Sequence, residues 1–185
     1  MDRRVVLVAA VAVLAAVAVG VIATALLTPS YPDEVTVEVV GGDEPVVVRA
    51  AVADTTDERY TGLSDHESLA DDEGMLFVHA TERERTYVMR NMAFDIDIVF
   101  VDSSGEITAI HEARAPEPGE DGEELRYSGH GQYVLEVNRG TMAAAGVEPG
   151  DRILIDGERP GRSWLPWASA VPAGETGTFR FVGNR

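Results

Sequence analysis

The chain opens with Met1-Asp2-Arg3-Arg4 and then runs from Val5 to Leu27, 23 residues, without a charge or a proline. As a helix at 1.5 Å per residue this run would reach about 34 Å, enough to cross a hydrocarbon core of about 30 Å. It stops at Thr28-Pro29-Ser30-Tyr31-Pro32, where two prolines end the helix and begin an extended linker. Arg3 and Arg4 precede the run, and Asp33 and Glu34 follow it. The charge asymmetry therefore places the amino terminus in the cytoplasm and the remainder outside. The reading is a single-pass signal anchor over 1–30, held in the cell membrane, with a linker over 31–34. The alternative is secretion after cleavage, because Ala23-Thr24-Ala25 has a small-x-small pattern.

After the linker the period changes. Val35-Thr36-Val37-Glu38-Val39-Val40 alternates early, and Gly41-Gly42-Asp43-Glu44 supplies turn residues before the apolar-rich run Pro45 to Val52, which predicts a β-hairpin. Thr55-Thr56-Asp57-Glu58 has capping-box spacing and predicts a short helix to about Gly62. Strands are expected at 75–78, 86–89, 96–101, 106–111, 133–137 and 152–155, with a second short helix over 141–145 closed by Gly146 and a last strand at 178–182. Residues 115–131 hold Pro116, Pro118 and four glycines among acids and read as a long exposed loop, either a functional flap or a mobile excursion. The expected fold is mostly β: an antiparallel β-sandwich or jelly-roll-like barrel with two short helices, behind one transmembrane helix. The β domain spans 35–156, and 157–185 form a C-terminal extension.

Composition adds an environment. Of 185 residues, 32 are acidic and 15 basic, for a net charge of −17, and every basic residue is arginine. Such a surface repels nucleic-acid phosphate. At molar salt the Debye length falls to about 3 Å, so a dense carboxylate surface is screened there. A salt-adapted source is expected, an acidic mesophilic protein being the alternative. The absence of cysteine excludes disulfides, thiolate metal sites and cysteine nucleophiles.

The order of short motifs then becomes informative. Arg59-Tyr60-Thr61-Gly62-Leu63, Asp72 to Phe77, Tyr87-Val88-Met89-Arg90-Asn91-Met92, Asp95 to Phe100, Tyr133 to Val137, and Gly140 through Gly150-Asp151 together resemble the DUF192 family over about residues 35–156. The resemblance implies a compact, mostly antiparallel jelly-roll domain, often exported in bacteria and archaea, of uncharacterised function. Taken with the composition, it points to a haloarchaeal-type member. The family's central motif has an aromatic, Trp-Met-Lys-Asn-Thr, then a proline and Leu-Asp. Here Val88, Arg90, Met92 and Asp95 replace the tryptophan, lysine, threonine and proline, while Met89, Asn91 and Asp97 keep the pattern. Loss of the indole removes an aromatic platform.

Candidate chemistry gathers at Arg90, Asn91, Asp95 and Asp97. Alternation puts Asp97 on one face with Val99 and Val101, so this carboxylate sits among apolar neighbours and needs donors, which Arg90 or Asn91 could supply. Either the group is a polar network fixing the sheet corner, or Met89, Arg90, Asn91 and Asp97 line a pocket for a small polar ligand. Asp95 and Asp97 as an acid pair would instead serve a cell-surface hydrolase. His79, His111, Glu112 and Glu136 include normal metal-ligand types but lack helical ligand spacing, and His66 and His130 lie in loops without a base or shuttle to set them. Glu136, off the face of Tyr133, Leu135 and Val137, reads as an exposed or paired acid. Trp164 and Trp167 form either a contact patch or the cover of a sheet edge. No Gly-x-Ser-x-Gly, P-loop or dinucleotide fingerprint occurs. The expectation is a binding or assembly module without cofactor or metal, whose partners are the membrane and a small polar ligand or an envelope protein. A purely structural envelope role is the remaining alternative.

Overall fold

The structure is a computed structural model that describes residues 32–156 and Pro160. The expected membrane span, the strand at 178–182 and both tryptophans lie outside the described residues. Among the described residues no helix is long and apolar enough to cross a membrane.

Seven strands follow one another with two short helices between them: β1 (Glu34–Val40), β2 (Val46–Ala53), α1 (Thr56–Thr61), β3 (Glu73–Val88), β4 (Ile96–Val101), β5 (Ile107–Ala113), β6 (Arg126–Asn138), α2 (Thr141–Ala144) and β7 (Arg152–Ile155). They form one mixed sheet in the order β5-β4-β6-β3-β2-β1-β7, which curls until its ends meet. The Ile107 amide donates to the Asp151 carbonyl at 2.8 Å, the Gly150 amide to Ile107 and the Ile153 amide to Gly105, each also at 2.8 Å. Closure satisfies edge groups that an open sheet would leave to solvent.

The predicted hairpin and capping box are present: Thr55 accepts from the Glu58 amide at 3.3 Å, and Glu58 accepts from Thr55 at 3.0 Å. Pairing is not wholly antiparallel, however. β2 and β3 run parallel, because α1 and the segment after it carry the chain back to the starting end before β3 begins. The strands expected at 75–78 and 86–89 are one strand with a register shift between Val78 and Arg83. His79 to Thr86 contains no glycine or proline, so nothing turns the chain, and the shift absorbs the mismatch. The expected loop at 115–131 is shorter, since β6 already begins at Arg126. Gly129 belongs to the strand for a packing reason: a Cβ there would lie 2.4 Å from the Phe100 ring.

Two cores result. All seven strands contribute to the first, including Val37, Val48, Leu76, Val99, Leu135 and Ile153, so it fills the barrel interior. The second, with Leu63, Phe77, Met89, Met92, Ile98 and Val134, lies on the other face of β3, β6 and β4. All six residues of β4 are buried in consequence. α1 and the turns at 62–72, 89–95 and 114–125 supply this cover, and the second core frames the cavity described next.

Candidate functional site

Asp97 projects into the barrel end. Its residue is fully buried, and its carboxylate accepts from the backbone amides of Gly140 and Met142, both at 3.0 Å. α2 has Gly140 as N-cap and no side-chain cap of its own, so Asp97, 43 residues earlier, caps it from across the fold. Burial pushes the Asp97 carboxyl up, and the two amide donors offset part of that rise.

The donors expected from Arg90 or Asn91 are therefore backbone amides instead. Arg90 reaches away from Asp97, donating to Glu123 at 3.1 Å and to the Tyr60 carbonyl at 2.9 Å while its guanidinium lies 3.9 Å from the centre of the Tyr60 ring. Asn91 is exposed with φ 55, a left-handed value that asparagine tolerates, and it turns the chain after β3. Met89 is wholly buried in the second core. Met89, Arg90, Asn91 and Asp97 are thus spread over both faces of the sheet, and only Arg90 reaches the cavity. Asp95 does not join Asp97 either, because it accepts from the Ala115 amide at 2.8 Å and pairs with Arg139 at 3.1 Å.

The cavity that does form lies between α1 and the outer face of β3, β6 and β4. Its volume is about 250 Å³, and Leu63, Phe77, Met92 and Ile96 give it apolar walls. Glu136 lines it as well. Met75 on β3 and Ile98 on β4 are its cross-strand partners, so the carboxyl is flanked by apolar side chains. Glu136 is 5% exposed, and its carboxyl makes no hydrogen bond or ion pair with any described residue. Desolvation alone raises its pKa to about 8, so the group is a neutral carboxylic acid at pH 7. The expectation of an exposed or paired acid is corrected: the face was assigned correctly, but that face is covered.

His79 also lines the cavity and shares a hydrogen bond of 2.9 Å with the Tyr87 hydroxyl. Burial first, then the charges of Arg85, Arg59 and Arg83, lower the imidazole to about 4. Burial, then the Glu136 charge, raises the Tyr87 phenol. His79 and Tyr87 are consequently neutral near pH 7, as is Glu136. The Tyr87 ring meets Phe77 edge-on at 5.1 Å and Phe100 at 5.8 Å, which fixes its position.

The loop after β5 is held by two Arg114–Glu120 hydrogen bonds of 2.6 and 2.7 Å. It is joined to Met89, whose amide donates to Gly122 at 3.0 Å. A Cβ on Gly122 would fall 2.2 Å from the Met89 carbonyl oxygen, so only glycine permits this approach. His111 is not near a metal set: its Nε2 contacts the Ser128 carbonyl at 2.8 Å, while Glu112 pairs with Arg139. No group of three metal-binding side chains occurs among the described residues. His130 pairs with Glu82 at 3.3 Å.

A curled seven-stranded sheet with a lateral cavity over its outer face defines the class. The family model of DUF192, described as an uncharacterized ACR, matches residues 37–155, and the chain belongs to that family. Among solved structures it is similar to a candidate transcription regulator from Sinorhizobium meliloti 1021, at 30% identity and a TM-score of 0.60, covering 69% of this chain and 97% of that one. It is also similar to a protein of unknown function from Novosphingobium aromaticivorans DSM 12444, at 32% identity and a TM-score of 0.58, covering 65% of this chain and 84% of that one. No curated protein matches it.

Proposed function

We propose that this DUF192 domain is a small-ligand binding module whose site is the cavity between α1 and the β3–β6–β4 face. One observation carries the reading: a buried, unbonded carboxyl opens into a cavity. Leaving a buried polar group unsatisfied costs about 1–3 kcal/mol, which a ligand offering a donor or acceptor would recover. A purely structural envelope protein gains nothing from that arrangement. A hydrolase using Asp95 and Asp97 is disfavoured, since both carboxylates are already engaged by backbone amides or arginine. Regulation through DNA is disfavoured by the net charge of −17.

The methionines provide a direct test. Met92 lines the cavity, Met75 and Met89 lie in the same outer core, and Met142 lies in the barrel interior. With methyl-labelled methionine in the full-length chain in detergent micelles, titration with panels of small acids, amines and sugars should shift Met92 and leave Met142 in place. If no class of compound moves Met92, the reading fails.

The same proposal places the domain outside the cell, carried by residues 1–30, in a salt-adapted organism. Support comes from the uncharged run of 23 residues and from 32 acids balanced only by arginine. Unfolding in graded KCl should show stability rising toward molar salt, because screening relieves repulsion among carboxylates. Cell fractionation should recover the full-length chain with membranes, or a shortened one outside if the segment is cleaved. Full-length protein in the cytosol would contradict the address.

A further inference from the structure

In a chain with 32 acidic residues, arginines find carboxylates easily, and Arg49, Arg90, Arg114, Arg139 and Arg152 each do so at 2.6–3.4 Å. Arg59, Arg83, Arg85 and Arg126 pair with no carboxylate among the described residues, and of these Arg126, exposed at the start of β6, donates to the Glu123 carbonyl at 3.2 Å. Arg59 donates to the carbonyls of Asp54 and Val78, and Arg85 to those of Thr81 and Gly131. Arg59, Arg83 and Arg85 lie together. Arg59 and His79 line the cavity, and His79, Arg83 and Arg85 line an adjoining groove that shares Thr86 and Tyr87 with it. Glu84 is the only carboxylate among that groove's lining residues.

Charge decides what such a place accepts. Three guanidiniums without carboxylate partners, beside a neutral imidazole, give one side of the cavity a positive potential within an otherwise acidic molecule. Glu136 lines the same cavity, and as a carboxylic acid it can both donate and accept a hydrogen bond. Its cross-strand neighbours, Met75 on β3 and Ile98 on β4, are apolar. Leu63, Phe77, Met92 and Ile96 are the apolar part of the walls, and Arg90, which also lines the cavity, is held by Glu123 at 3.1 Å. A cavity of about 150 Å³ holds benzene. The volume of about 250 Å³ therefore leaves room for one ring with a substituent at each end.

We infer that the ligand is a small organic monocarboxylate on an apolar body with a neutral hydroxyl or carbonyl at its far end. Its carboxylate sits by His79 among Arg59, Arg83 and Arg85, its body lies against Phe77 and Met92, and its far end meets Glu136. The assignment rests on the cavity being a binding site and adds the ligand's charge and polarity.

The probe is 3-(4-hydroxyphenyl)propionate, compared with tyramine, which carries a cation in place of the anion, and with p-cresol, which carries neither. The full-length chain with methyl-labelled methionine is titrated at pH 7 and one fixed KCl concentration. The carboxylate should shift Met92 saturably without moving Met142, and should bind at least about tenfold more tightly than tyramine. Arg83→Gln and Arg85→Gln should each weaken it by about threefold or more, with the Met142 signal reporting an intact barrel. Tyramine or p-cresol binding as well as the carboxylate, or unchanged affinity in both arginine variants, overturns the anion while leaving the cavity a binding site. If none of the three compounds moves Met92, this ligand class is overturned and the cavity reading falls with it for ring-sized ligands.

Discussion

Glu136→Gln should raise the unfolding free energy by about 3 kcal/mol at pH 7 and change it little at pH 4. The unfolded carboxyl titrates near 4.5 and the buried one near 8. Between these values the unfolded chain releases a proton that the folded chain keeps, so ionisation favours unfolding. The group's stability contribution is complete below about pH 4.5 and is lost progressively as pH rises through 8. Glutamine has nearly the same shape and no charge to desolvate, and it escapes this loss. The check is urea unfolding of both proteins from pH 4 to 8 at fixed KCl, plotted as the difference between them. A flat difference would mean that Glu136 is hydrated or paired in the folded protein. A natural chain that keeps a destabilising acid in a cavity fits a pattern in which stability is given up for function.

The second large effect belongs to Asp97 and has the opposite sign. Asp97→Ala leaves the Gly140 and Met142 amides without acceptors at the barrel end and should destabilise the domain by about 3 kcal/mol. Asp97→Asn should recover roughly half, since its amide oxygen still accepts. Urea unfolding at fixed KCl measures both variants. Loss of α2 should also expose Met142, which is fully buried, and shift its methyl signal. Wild-type stability in Asp97→Ala would remove the capping account. Together the two acids show how environment separates identical chemistry: one carboxylate is held by amides and organises the fold, while the other is left without partners beside a cavity.

Much of the strand layout was legible because it depends on local patterning. Val35 to Val40 alternates, Thr55 and Glu58 form a box within four residues, and Arg152 to Ile155 follows a Pro-Gly-Asp turn. Alternation also identified Asp97 as an acid among apolar neighbours. Its partners were not legible, because they lie 43 and 45 residues away and are backbone amides, which no side-chain pattern reports. Gly129 read as a loop residue because composition does not separate a glycine that turns the chain from one that admits an aromatic ring.

Glu136 was misjudged for a different reason. Alternation gives its face, but it does not tell whether that face meets solvent or a second layer. Ile96 to Val101, apolar at every position except Asp97, carried a signal that both faces of the central strands are covered. An acid on a strand paired to such a run is a buried acid. The arginines around His79 gave no signal of their own, since Arg59 arrives from α1 and only the parallel crossover brings it beside β3.

The account turns on whether the Glu136 carboxyl is neutral and without partners inside the cavity. Labelling glutamate side-chain carboxyls with carbon-13 and following the Glu136 resonance from pH 3 to 10 measures this directly. The predicted result is a single titration near pH 8, well above every exposed glutamate. A midpoint in the ordinary carboxylate range would mean that water or a counter-charge reaches the group, and the cavity would lose the observation that marks it as a site.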